Sequence, residues 1–419
     1  MLPDLVSYRT FRRVVVTGIG ILSPVGNGKN RFFESLAAGR SAIRRLSAPF
    51  VTKLSSQIAA ELEFDGSAHF PRRKLSGLDR TTQTSLVVAK EALEDSGLVL
   101  DDAFQDRTGV FWGTGMASAT SIEENYEGLL LDPAFRVHPG SVVRMMNNAA
   151  TAHISLDFGL RGPSLTYTTA CSSSAVAVGE AFRSIRFGFA DCAITGGADS
   201  LLTYGVIKSW QALQILALED PQDPSTSCRP FSLDRTGFVL GEGATAFILE
   251  EAEHALRRGA RIYAEMRGYG CTSDGSHITK PDVRGQAHAI SSALREAEIH
   301  PGDIGYINAH GTATRIGDIV ETEAIKQVFG SHARTVPISS TKSMHGHSLG
   351  AAGAMEFAAA LLAMQHGVAP PTAHLKAPDP ECDLDYVPNA GREVAIEHAV
   401  CNCIAFGSKN SALVLRRMG

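Results

Sequence analysis

No apolar run in this chain approaches the roughly 20 residues that a membrane-spanning helix requires, so nothing in the sequence is predicted to cross a bilayer as a helix. The stretch from Met1 to Arg13 also lacks the apolar segment of a secretory leader, which predicts a cytoplasmic protein. The seven cysteines are odd in number and scattered, and they contain no C-x-x-C pair. A disulfide framework and a zinc ribbon are therefore not expected, and Cys401-Asn402-Cys403 reads as two core thiols. Charge is sparse as well, with 20% charged residues and a formal net charge of -5. That balance argues against nonspecific nucleic-acid binding and leaves room only for a local basic patch.

What the chain does have is length and glycine. At 419 residues and 44% hydrophobic content it exceeds the size of a single core, so two domains or two halves of a large α/β unit are expected. Its 40 glycines predict many tight turns and close backbone approaches. Strand-like runs at 13–20, 110–115, 165–169, 191–198 and 237–249 alternate with helical stretches at 30–39, 81–96, 147–158 and 175–187. Such alternation predicts a parallel sheet covered on both faces. From 261 the pattern starts again, with strands predicted at 261–270, 306–310 and 337–341, which sets halves of 1–258 and 259–419. Thr17-Gly18-Ile19-Gly20 supplies two of the glycines of a dinucleotide-binding turn, but Ser23 and Pro24 follow instead of a third glycine and a helix, so no nucleotide cofactor is assigned.

Cys171 stands where the extended run Leu165 to Thr169 gives way to the small residues of a helix beginning near Ala175. A thiol at such a corner faces the positive end of the helix dipole and unpaired backbone N–H groups, which favour a thiolate and any oxyanion formed beside it. A small buried core cysteine is the competing reading. Two further polar clusters lie just past predicted strand ends, where open α/β sheets place ligands: His310-Gly311-Thr312-Ala313-Thr314 and Lys342-Ser343-Met344-His345-Gly346-His347. A cysteine with two histidine-bearing loops is an inventory for nucleophilic thiol chemistry. Metal binding by His310, His345 and His347 lacks a carboxylate at ligand spacing. A cysteine protease would have no use for the second histidine. Pro71-Arg72-Arg73-Lys74, with Arg80 after it, is the one dense basic cluster of the first half, and it reads either as solvated surface or as a dock for an acidic partner.

Thr169-Ala170-Cys171-Ser172-Ser173, Asn308 to Thr314 with Gly317-Asp318, Ser340 to Met344 with Gly346-His347, Leu349 to Gly353 and Phe231 to Gly243 together resemble β-ketoacyl-acyl-carrier-protein synthases of the KAS II type. The resemblance runs from about Arg13 to the C-terminus. It implies a thiolase fold: an α/β protein of two mixed five-stranded sheets in an α-β-α-β-α stack, usually a homodimer, with a heterodimer beside a chain-length-factor-like subunit as the variant form. It further implies decarboxylative condensation of an acyl group held on Cys171 with malonyl-acyl-carrier-protein, with no cofactor of the enzyme's own. His310 and His347 would stabilise the enolate, Lys342 would tune them through a buried pair with Glu356, and the backbone N–H groups of Cys171 and Phe406 would form the oxyanion hole, the Phe406 ring acting as a gate. Thr312 and Thr314 would hold the phosphopantetheine arm, Thr279 and Ile122 would contact substrate, Ile122 at the far end of the acyl pocket, and Arg72, Arg73 and Lys74 would dock the carrier protein. A non-catalytic chain-length partner subunit is the alternative. Three departures from the family pattern stand out: Gly407-Ser408-Lys409 after Phe406, His345 where threonine is common, and Ser276 to Pro281, the last two being similar to nodulation-type and aryl-polyene-type relatives.

Overall fold

The computed structural model describes residues 11–418; residues 1–10, most of the stretch expected to carry no secretory leader, lie outside it. Ten strands form one hydrogen-bonded sheet. The first five are β1 (Val14–Leu22), β2 (Thr108–Gly113), β3 (Ser164–Tyr167), β4 (Cys192–Asp199) and β5 (Gly243–Glu251). The second five are β6 (Ala264–Ser273), β7 (Tyr306–Asn308), β8 (Ile338–Ser339), β9 (His398–Ala405) and β10 (Lys409–Arg416). Their spatial orders are β3-β2-β4-β5-β1 and β8-β7-β9-β10-β6, the same order counted from the first strand of each set. Among the described residues the two five-stranded sets pair only where β1 runs antiparallel to β6, through Val14↔Met266, Val15↔Glu265 and Val16↔Ala264.

Each set is mixed rather than wholly parallel as strand–helix alternation predicted. β2 is parallel to β3 and β4, whereas β5 is antiparallel to β4 and β1. The second set repeats this, because only a three-residue turn at positions 406–408 separates β9 from β10 and so short a link can join only antiparallel strands.

Around the sheets pack α1 (Lys29–Ala37), α2 (Arg72–Leu75), α3 (Arg80–Ser96), α4 (Ala119–Leu131), α5 (Ser141–Met145), α6 (Ala149–Phe158), α7 (Ser173–Arg186), α8 (Tyr204–Ala212), α9 (Val283–Ala297), α10 (Arg315–Phe329), α11 (Lys342–His345) and α12 (Ala352–His366). Helix α3 covers β1, β5 and β4 from outside, and α9 covers β6 and β10 with α10 beside it. Helices α7 and α12 lie between the two sets and touch both, which completes an α-β-α-β-α stack. Every residue of α12 from Ala352 to Met364 is buried, as expected of a helix that is apolar all round. Phe182 of α7, Phe357 and Leu361 of α12, Phe247 of β5 and Tyr269 of β6 share its core. Among the described residues no helix is long and apolar enough to cross a membrane.

The half-complete glycine motif finds its explanation here. A Cβ on Gly18 or Gly20 would overlap the carbonyl oxygens of Ala92 or Val88 on α3, and a Cβ on Gly268 or Gly270 of β6 would overlap those of Ala293 or Ala289 on α9. Both glycine pairs let an outer helix lie directly on its strand. Gly113, the last residue of β2, does the same for the middle layer, since a Cβ there would overlap the backbone of Ser173 and Ser174 at the start of α7. Gly113→Ala is expected to lower the unfolding free energy by ~2 kcal/mol, the usual scale for overpacking against backbone. Urea denaturation reads this directly, and an unshifted midpoint would mean that α7 lifts from the strand freely.

Candidate active site

Cys171 lies in the short link between β3 and α7, two residues before the helix begins. The chain turns there through Ala170 at φ 51°, a left-handed conformation that costs a non-glycine residue energy and must be held by its surroundings. The serines hold it. Ser173 Oγ donates to Ala170 O at 2.6 Å and accepts from Thr169 N at 2.8 Å, and Ser172 Oγ donates to Thr169 O at 2.9 Å. Ser174 Oγ accepts from Ala354 N at 2.8 Å, which ties the first turn of α7 to α12. The Cys171 thiol is thereby fixed at the bottom of a cavity of about 630 Å³ that His310, His347, Thr312, Thr314, Phe406 and Thr279 also line.

The sequence separates Cys171 from both histidines by more than a hundred residues, and the fold brings them together. His347 Nε2 lies 3.0 Å from Cys171 Sγ, and the two imidazoles meet edge to face with centroids 5.4 Å apart. Lys342 is fully buried at the start of α11. Its ammonium donates to Glu356 of α12, to His310 O at 2.6 Å and to His310 Nδ1 at 3.2 Å. Three N–H donors thus meet three acceptors. Because a protonated lysine can only donate, His310 Nδ1 is the acceptor and its ring proton sits on Nε2.

Burial and the Lys342 charge hold both His310 and His347 well below the ordinary histidine pKa, so both rings are neutral. Burial also raises the Cys171 thiol to about 12, against the pull of Lys342 and of the backbone N–H groups of Phe406 and of Cys171 itself. The helix-terminus argument favoured a resting thiolate. Desolvation outweighs it in the free protein, which holds a neutral thiol against a neutral imidazole. Cys171, His310 and His347 present ligand atoms within 4.8 Å of one another, but the Lys342 ammonium facing His310 opposes a cation there.

Two buried carboxylates that the sequence reading passed over shape this cavity. Glu321 accepts from His310 N at 2.8 Å and Gly311 N at 2.7 Å, fixing the loop after β7. Asp199 accepts from Thr114 Oγ1, Gly115 N and Gly350 N, joining the ends of β2 and β4 to the segment before α12. Burial raises Asp199 to about 6 and Asp318 to about 7, and Asp318 accepts from Phe231 N and Ala313 N beside Arg235. Asp318 and Glu321 are three residues apart on α10, a helical spacing that marks one face once that helix is known to back the site.

The remaining expected residues fall in different places. Thr312 and Thr314 hydroxyls lie 3.0 Å apart on the cavity wall, and Thr279 stands at its exposed mouth. Phe406 begins the β9–β10 turn, whose Gly407 N donates to Ile278 O at 2.7 Å and whose Ser408 Oγ donates to His277 O at 2.6 Å. Ile122 does not line this cavity; it lies on α4, 38% exposed, because that helix buries only Ala119 and Ser121. Arg72 and Arg73 are exposed on α2, whereas Lys74 is held by Asp157. Arg80 leaves the basic cluster altogether, turning inward to Glu242 and to the carbonyls of Leu62 and Phe64. His345 is fully buried. Its Nδ1–H donates to Gly346 O at 2.9 Å and its Nε2 accepts from Thr341 Oγ1 at 3.0 Å, away from the thiol's imidazole partner.

The chain matches the family descriptions "Beta-ketoacyl synthase, N-terminal domain" over residues 11–255 and "Beta-ketoacyl synthase, C-terminal domain" over residues 263–376. It is 42% identical to Nodulation protein E of Rhizobium leguminosarum bv. trifolii, covering 97% of this chain and 100% of that protein. It is 39% identical to 3-oxoacyl-[acyl-carrier-protein] synthase 2 of Staphylococcus aureus strain N315, over 97% of this chain and 98% of the relative. Among solved structures, a β-ketoacyl synthase from Burkholderia phymatum STM815 superimposes with a TM-score of 0.91 at 35% identity, over 97% of this chain and 100% of that one. A type II polyketide synthase ketosynthase assembly, solved as a complex with its acyl-carrier protein, gives 0.90 at 33% identity, over 98% and 100%.

His345 generates a pH dependence that can be isolated. Burial depresses it to about 3, so the folded protein stays neutral there while the unfolded chain takes up a proton near 6.5. Lowering the pH below 6.5 therefore withdraws stability from the native protein. His345→Gln removes that term, and its stability relative to the native sequence should rise by ~2 kcal/mol between pH 7 and pH 5 in paired denaturation curves. A difference that does not change with pH would refute a neutral buried imidazole.

Proposed function

The chain belongs to the β-ketoacyl synthase family, and on that premise we propose how its own residues carry out the condensation. The enzyme is an acyltransferase that extends an acyl chain with malonyl-acyl-carrier-protein in fatty acid or polyketide elongation. The observation that carries the assignment of residues is the buried thiol 3.0 Å from His347 Nε2, beside a second imidazole whose proton Lys342 directs to Nε2.

In the first half-reaction Cys171 Sγ attacks the acyl thioester of a carrier protein. The Sγ–C bond forms, the bond to the pantetheine sulfur breaks, and the thiol proton ends on the departing pantetheine thiol. The tetrahedral oxyanion accepts from the backbone N–H groups of Cys171 and Phe406, both of which pull the thiol pKa down against burial. In the second half-reaction malonyl-carrier protein enters, its C–C bond to the carboxylate breaks, and carbon dioxide leaves. Neutral His310 and His347 donate from Nε2 to the thioester oxygen of the resulting enolate. Neutral donors suit a charge that exists only after bond cleavage, since a standing imidazolium would bind the malonyl carboxylate itself. The enolate carbon then attacks the Cys171 thioester and releases the thiolate, giving the β-ketoacyl product, and the thiolate takes a proton from water to restore the resting thiol. The chemistry draws on no cofactor beyond the pantetheine thioester. Thr312, Thr314 and Thr279 line the path of that arm, and exposed Arg72 and Arg73 offer charge to an acidic carrier protein.

Cys171→Ala is expected to abolish condensation. Intact-mass measurement after incubation with acyl-carrier proteins of different chain length should show an acyl adduct on the native protein and none on the variant; an adduct retained by the variant would refute the nucleophile. The same experiment reports the preferred acyl chain.

The enzyme works as a dimer through a strip running over α4, α5, α6 and the outermost strand β3. Tyr126, Leu130, Leu131, Val142, Leu156 and Leu165 all stand exposed there, beside an unpaired strand edge, the combination that a partner surface would cover. Ile122 belongs to this strip. A homodimer is the default, and a related ketosynthase-like subunit could occupy the same face. Leu165→Asp should convert the dimer to monomer in sedimentation velocity; an unchanged dimer mass in that variant would move the interface elsewhere.

A further inference from the structure

Trp210 has no part in the chemistry above, yet it stands in the same cavity as Cys171, His347 and Phe406. It lies near the end of α8, a helix that buries only Ile207 and is anchored at its start by Glu123, which accepts from Tyr204 N and Gly205 N at 2.7 Å each. The indole face stacks on the Phe406 ring with centroids 5.9 Å apart and planes 28° from parallel. It also meets Phe238 edge to face at 5.5 Å, and Phe238 in turn meets His347 edge to face at 5.2 Å. A continuous aromatic wall thus runs from the β9–β10 turn to the imidazole bonded to the thiol.

The two rings of the stack differ in their support. Trp210 rides on an anchored helix. Phe406 begins a three-residue turn in which Gly407 and Ser408 both have positive φ, and three hydrogen bonds fasten that turn to residues 274–278: those at His277 and Ile278 and one that Asp274 N donates to Ser408 O at 3.0 Å. Water can replace such bonds at little net loss. It cannot replace an aromatic face. Among the described residues, Trp210 is the one ring stacked on Phe406.

We propose that Trp210 is a positioning residue that holds the Phe406 ring across the cavity and so screens Cys171 until an acyl donor displaces the ring. This rests on the reading above that Phe406 gates the thiol. An aromatic pair of this kind favours the stacked arrangement by between about twofold and about tenfold. In the absence of an acyl donor, the screened thiol and the neutral histidines are also kept from premature decarboxylation of malonyl-carrier protein.

The test is the rate at which iodoacetamide alkylates Cys171 in the free protein, followed by mass, together with carbon dioxide release from malonyl-carrier protein without an acyl donor. Trp210→Ala and Trp210→Leu, the latter keeping apolar bulk against Phe238, should each raise both rates by about two- to tenfold, while Trp210→Phe should leave them near the native values. In a Phe406→Ala background, substituting Trp210 should add nothing further, an outcome that general loosening of the fold would not give. Native-like rates in both Trp210→Ala and Trp210→Leu, or accelerations that multiply in the double variant, would overturn the proposal. If the native protein is not alkylated at Cys171 or does not condense, the reading of the site itself falls instead.

Discussion

The three protons of one buried ammonium set the geometry on which the rest of this site depends. Lys342 lies wholly out of water, where an unpaired charge would cost several kcal/mol. It is tolerated because Glu356 neutralises it and the carbonyl and ring nitrogen of His310 take its remaining protons. Those partners come from α12 and from the end of β7, so the ion pair joins three elements of the second sheet set at one point. It also decides the chemistry of His310. With Nδ1 committed to Lys342, the ring can offer only an N–H to the cavity, and burial together with the nearby positive charge keeps a second proton away.

The same logic of desolvation explains the thiol. A site built to hold a standing thiolate would expose it or surround it with cations, whereas Cys171 is enclosed and its pKa is raised. Its nucleophilicity therefore belongs to the complex with a thioester, when Sγ gives up its proton and the backbone donors are called upon together. Carboxylates handle the polar backbone nearby. Glu321 and Asp199 take N–H groups that strand ends leave without partners, which allows four loops to converge on the site with their backbone groups paired.

Much of this was legible in the sequence where local chemistry decides the outcome. The strand-to-helix corner at Cys171 and the two histidine loops past strand ends required only residue type and order. The Lys342–Glu356 pair came from family likeness, since fourteen residues of separation carry no local signal. What local reading missed depends on partners distant in the chain. Strand direction was misjudged because the return of β5 beside β1 is a tertiary pairing. Arg80 looked like part of a surface cluster because its partner Glu242 is far away in sequence. The place of Ile122 at the far end of the acyl pocket came from family likeness and not from local reading, and in the single chain it lies on the surface of α4. Gly18 and Gly20 were set aside as a nucleotide turn, but the group that does approach them, the backbone of α3, has no local signal.

Those glycines have a consequence for how ancestry can be read from such a chain. The two halves share little in the residues they display, but each removes a side chain at alternate positions of its first strand, opposite the same part of its outer helix. A duplicated fold can thus keep its record in vacancies. Matching the positions at which a side chain is forbidden would recover the internal repeat where matching the residues that are present would not.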